Sequence, residues 1–155
     1  MHTPKSSFVF VIVLLSAIAN FLLAILHMAM LFMGPWLYQF LGAPTLIVSM
    51  VEQQNWLPLI LIMSTIALAF ASCGCYALSA LGLIRRLPAL SVVMLLITVV
   101  YCLRGSVVLL WPFPGLVQRL FSMTPAWQDG LFSAAWLVVG LVYGIAWMQL
   151  CRDKG

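Results

Sequence analysis

The chain has 155 residues, 65% of them hydrophobic and 6% charged, with a formal net charge of +4. An ordinary soluble domain carries about 25% charged residues, so this composition excludes a water-covered globule. It also excludes a nucleic-acid surface, which needs a clustered basic face, and leaves no room for a soluble catalytic domain.

Taken in chain order, four apolar stretches run from about Phe8 to Met33, 57–84, 90–111 and 131–151. Each meets the ~20 residues that cross a hydrocarbon core of ~30 Å, and none contains Asp, Glu or Lys. The expected fold is all-α: a polytopic membrane protein, one domain over 1–155, built as an antiparallel four-helix transmembrane bundle. Lys5, the run after it and Ala17-Ile18-Ala19 imitate a signal peptide. The apolar residues continue through Met33, past the roughly 7–15 residues of a signal-peptide core, and read as a full span.

Between Gly34 and Trp56 the chain is too apolar for a free loop and is broken by Pro35, Gly42 and Pro44. One or two short interfacial helices are expected there, with Trp36, Tyr38 and Trp56 at headgroup depth. The break Arg85-Arg86-Leu87-Pro88 is short, which makes spans two and three a tight hairpin with Pro88 near the first turn of the third helix. The loop from Pro112 to Gly130 repeats the style of the first, with Pro112, Pro114 and Pro125 as breakers and Trp111 and Trp127 as belt residues. Lys5, Arg85, Arg86, Arg152 and Lys154 fall on one side of four spans, against Arg119 in the opposite loops. The positive-inside rule therefore predicts an N-in, C-in orientation.

Helical periodicity places the remaining polar and small residues. Ser16, Asn20 and His27 lie within about 40° of one another on span one, and that face is expected to point into the bundle because an unpaired Asn or His against lipid is costly. On span two, Ser64, Ala71, Cys75 and Gly82 share an arc. On span four, Ser133, Gly140 and Gly144 do the same, the last two forming a GxxxG match. Such faces let helices approach closely, either within one chain or between copies.

Arg104 is the most costly residue, since a mid-depth Arg costs about 2.5 to 3.5 kcal/mol even on the gentler scale. His27 shares its depth, Tyr101 lies three positions away on a nearby face, and Glu52 or Asp129 could supply a carboxylate. His27, Glu52, Tyr101, Arg104 and Asn20 are thus the candidate polar pocket. The competing reading makes Arg104 a snorkelling anchor or a structural pair with Glu52.

Other chemistries fit poorly. Cys73 and Cys75 project about 200° apart on a helix, and Cys102 and Cys151 lie at other depths, so the four thiols read as packing residues. Met28, Met30 and Met33 near His27 are the one soft-metal candidate, and neither a resident metal nor a cofactor is expected. There is no HExxH, no GxSxG, no pair of intramembrane carboxylates and no phosphate-cradling glycine loop, so no residue is assigned as catalytic and an enzyme is not expected.

The stretch from Tyr76 through Arg85-Arg86 to Pro88, then Tyr101-Cys-Leu-Arg104-Gly105, with His27 and Trp36-Leu-Tyr38 through Gly42-Ala-Pro44, resembles small four-span inner-membrane proteins of Gram-negative bacteria. The resemblance implies four helices in a bacterial inner membrane and supplies no substrate or catalytic residue. Three functions fit: a non-enzymatic accessory, sensor or interaction protein that packs on a membrane partner or a second copy; an oligomeric channel or anion transporter lined by Ser16, Asn20, His27 and Arg104; and an immunity-type protein against a pore-forming toxin.

Overall fold

The computed structural model describes residues 7–110, 112–113 and 127–152, with the backbone alone at 127–129. The expectations for Trp111, Pro114, Arg119, Pro125, the side chains of Trp127 and Asp129, and the terminal charges Lys5 and Lys154 lie outside the described residues.

In a hydrocarbon core each backbone N–H and C=O must be satisfied within the protein, so an apolar run that crosses as a single segment has to coil into a helix. The helices are α1 (Ser7–Met30), α2 (Pro35–Phe40), α3 (Thr45–Glu52), α4 (Trp56–Leu81), α5 (Leu90–Gly105) and α6 (Trp127–Arg152), and a 3-10 turn over Ser106–Leu110 extends α5. The fold is all-α, and four of its segments, α1, α4, α5 with its 3-10 extension and α6 from Gly130, are long and apolar enough to cross a membrane. The first loop holds the two short helices expected there.

Three helices end in the same way. At the ends of α2, α3 and α4, Gly42, Gln54 and Gly82 take positive φ angles of 71°, 55° and 76°. Each gives its N–H to a carbonyl three residues back, while the following residue bonds five back: Ala43 to Tyr38, Asn55 to Met50, Leu83 to Leu78. These are the paired bonds of a Schellman turn, which satisfy carbonyls that the helix itself leaves orphaned. Gly82 therefore terminates α4 at Leu81, short of Ile84. It is not a packing residue on that helix, and a side chain at its position would meet nothing within 4 Å.

The turn after Gly82 is held by α4. Ser79 Oγ donates to the Arg85 carbonyl at 3.3 Å and accepts the Leu87 N–H at 2.9 Å, and Tyr76 donates to the Pro88 carbonyl at 3.2 Å. Ala89 then starts α5 from a left-handed φ of 51°, so Pro88 precedes the helix rather than sitting in its first turn.

Contacts divide the chain into two compact units, residues 18–74 and residues 1–17 with 75–155. In the first unit, Met30, Tyr38, Ile47, Val51, Leu59 and Met63 form a buried core beneath α2 and α3. Tyr38, expected at headgroup depth, is fully buried and donates to the Met30 carbonyl at 2.8 Å. The same carbonyl accepts the Met33 N–H at 3.0 Å, so the hydroxyl adds a second bond there and ties α2 to the end of α1.

In the second unit, α5 and α6 pack along their length. Neighbouring pairs are Gly105 with Leu137, Cys102 with Gly140, Thr98 with Gly144 and Ser91 with Cys151. Every step along α5 is matched by an equal step back along α6, so the pair keeps one antiparallel register. Glycines sit at the closest approaches: a Cβ on Gly140 would lie 2.8 Å from Cys102 Sγ and 2.9 Å from Cys102 N, and one on Gly105 would overlap the Leu137 backbone. Lipid adds no hydrophobic drive between helices, so this backbone proximity is what such packing offers. Gly140 and Gly144 face α5 of the same chain.

Candidate functional site

Several polar side chains in the spanning helices bond a carbonyl one turn back on their own helix. Ser16 Oγ donates to the Ile12 carbonyl at 3.0 Å, Thr65 to Leu61 at 2.7 Å, Ser72 to Leu68 at 2.8 Å and Thr98 to Met94 at 2.8 Å. This back-bonding removes the cost of a hydroxyl facing lipid. His27 is half-buried, its Nδ1 lies 2.8 Å from the Leu23 carbonyl, and its ring stacks 5.1 Å from Phe70. A carbonyl only accepts, so Nδ1 carries the hydrogen. Asn20 is buried, as expected of its face, and it is also partnered.

Arg104 differs from all of these. It occupies the last turn of α5, just before the helix tightens into the 3-10 turn, and its side chain is exposed. Its Nη1 donates to Ser133 Oγ on α6 at 3.0 Å, and Ser133 is buried. Gly105 positions the pair, since the absence of a side chain there lets α6 come within reach of the guanidinium. Tyr101, one turn earlier on α5, is buried in an aromatic cluster, 5.1 Å from Trp136 and edge-on at 5.7 Å to Tyr143.

The structure therefore brings Arg104 and Tyr101 together with Ser133, Trp136 and Tyr143. His27, Asn20 and Glu52 belong to the other compact unit, where Glu52 ends α3 with an exposed side chain. Sequence reasoning placed Ser133 only on a packing face, and it passed over Tyr143, Trp136 and the closest glycine, Gly105. Their signal was available in the spacing of Ser133, Trp136, Gly140 and Tyr143 at three- and four-residue intervals, which is one face of α6.

Ser64 and Ala71, expected to face a neighbouring helix, line a groove of about 690 Å³ between α1 and α4 together with Phe21, Ala24 and Ala67. The groove is apolar and its rim residues Ile25, Phe32 and Leu68 are exposed. Cys75 is half-buried, and all four cysteines are free thiols. Among the described residues no group of three His, Cys, Asp or Glu side chains is placed to hold a metal ion.

Comparison of the chain with protein-family models, with curated proteins and with solved structures finds no match.

Proposed function

We propose that this chain is a non-enzymatic accessory, sensor or interaction protein of the bacterial inner membrane, with both termini in the cytoplasm and the α2–α3 loop outside. The observation that carries this reading is the cap formed by α2 and α3. Tyr38, Ile47 and Val51 fix the cap on the core below it, whereas Trp36, Phe40 and Leu46 remain 64%, 49% and 63% exposed. A loop of this length does not need two capped helices merely to join α1 to α4. Two Schellman turns and a buried tyrosine hydroxyl hold a rigid apolar platform at the interface, where it can contact lipid and a membrane partner together. The local hydrogen bonds of Thr98 and His27 support the same reading, because each side chain bonds a carbonyl of its own helix.

Photo-crosslinking residues placed at Phe40 and Leu46 in living cells test this, with Leu96 on the lipid-facing side of α5 as the control. The expected result is an adduct of one fixed mass from the cap positions and none from position 96. Anion flux through proteoliposomes of the purified chain, abolished by Arg104→Gln, would refute the reading and favour the transporter.

A further inference from the structure

We infer that Arg104, positioned by Ser133, binds a phosphate group, and that its source is the headgroup of an anionic phospholipid in the leaflet at the 3-10 end of α5. This deepens the accessory reading by naming the ligand of its polar centre, and it rests on the membrane placement of α5.

A guanidinium presents five N–H donors and never loses its charge. Among the described residues it has one hydrogen-bond partner, Ser133, which is neutral. The four spans contain no acidic residue, and the chain has only three, Glu52, Asp129 and Asp153. Arg104 is therefore an exposed cation inside an apolar span with most of its donors turned outward.

From Arg104 to the end of the span at Leu110 the rise is about 1.5 Å for one α-helical step and ~2 Å for each 3-10 step, which puts its Cα roughly 10 Å inside a hydrocarbon core of about 30 Å. A cation at that level is accommodated by drawing headgroup oxygens or water downward, with local thinning of the leaflet. Phosphate matches the guanidinium fork, which offers two parallel N–H bonds to two oxygens. Ser133 fixes the plane of that fork by holding Nη1 against α6.

Native mass spectrometry of the full chain, titrated with phosphatidylglycerol or phosphatidylcholine, is the test. The starting protein carries Arg85→Gln and Arg86→Gln, so that basic residues at the other end do not mask the site. The expected result is a preference for phosphatidylglycerol that falls about tenfold in Arg104→Gln, the size of one charge-assisted hydrogen bond. Arg104→Lys, which keeps the charge and loses the fork, should fall by less, and Ser133→Ala should fall although the cation is intact. Excess inorganic phosphate should leave the bound lipid in place, and its displacement would overturn the lipid assignment. Equal lipid binding by Arg104→Gln and its parent would overturn the site itself. So would unchanged lipid affinity in Arg104→Gln joined to an equal loss of thermal stability in Glu52→Gln or Asp129→Asn, because the counter-charge would then be internal. Loss of the lipid preference does not touch the accessory reading, which falls only on the flux result above.

Discussion

Three glycines on the α5–α6 interface make a graded test of the helix pair. Each is replaced by alanine, which adds one methyl group and raises helix propensity by up to ~1 kcal/mol. At Gly144 the new Cβ would lie 3.2 Å from the Thr98 methyl, a side-chain atom that can yield by a few tenths of an ångström. At Gly140 it would lie 2.8 Å from Cys102 Sγ, 2.9 Å from Cys102 N and 3.1 Å from the Tyr101 carbonyl carbon, so two of its three neighbours are backbone. At Gly105 all the near atoms are the backbone and Cβ of Leu137, the last at 2.7 Å. Ordinary carbon contacts are about 3.5 to 4.0 Å, so the helices must part by roughly 1 Å at Gly105.

Overpacking a rigid site costs about 1 to 3 kcal/mol, and that range sets the order. Gly105→Ala should destabilise by about 3 kcal/mol and Gly140→Ala by about 2 kcal/mol. In Gly144→Ala the propensity gain offsets a soft contact, and the protein should stay within ~0.5 kcal/mol of wild type. Unfolding from mixed micelles with SDS, followed by circular dichroism, gives the three values. Because the contact is within one chain, the midpoints should not move with protein concentration. Equal losses at all three positions, or a concentration-dependent midpoint for Gly140→Ala, would refute this account of the interface.

Other outcomes follow from single contacts. Tyr38→Phe removes the bond to the Met30 carbonyl and should cost about 1 to 2 kcal/mol in the same assay. Burial raises the pKa of Tyr38 above its ordinary value, so its folded form resists ionisation. Its contribution is complete below ~10 and is lost as pH climbs through the folded value, so wild type should lose more stability than Tyr38→Phe across that alkaline window. Ala89→Gly and Gln54→Gly replace non-glycine residues in left-handed backbone. Each should raise stability by about 0.5 to 1 kcal/mol, since the left-handed conformation costs an L-residue roughly 1 to 2 kcal/mol and glycine returns part of that as entropy. With the proposed orientation, a thiol-directed reagent outside the cell should label Gln53→Cys and spare Arg86→Cys, and the reverse pattern would invert the topology.

The spans were legible because lipid makes a coarse demand: about 20 apolar residues with their backbone satisfied internally. Their ends were less so. Gly82 fell in phase with Ser64, Ala71 and Cys75 and read as a packing residue, but a glycine three positions ahead of Arg85 also fits a left-handed terminator, and periodicity cannot separate the two. Tyr38 read as a belt residue for a similar reason. A tyrosine beside Trp36 near a membrane surface usually keeps its hydroxyl in water, and only the return of α2 over Met30 supplies the carbonyl that buries it. The GxxxG pair marked the right face of α6, while the tightest contact came from Gly105, a lone glycine with no motif around it.

The same reasoning separates structural from chemical polarity inside the membrane. A hydroxyl has one hydrogen to place, and a helix always offers a carbonyl one turn back, so Thr65, Ser72 and Thr98 each place theirs on their own helix. His27 needs the same single acceptor and finds it at Leu23. A polar stripe at helical spacing is therefore weak evidence for a site, since every member can be content alone. A guanidinium has more donors than one helix turn can accept, and its charge requires an opposing one. Arg104 must look beyond its helix, and among the described residues it finds Ser133. That excess of donors over local acceptors, rather than the shared depth of His27 and Arg104, is the physical ground for the phosphate site proposed at the junction of α5 and α6.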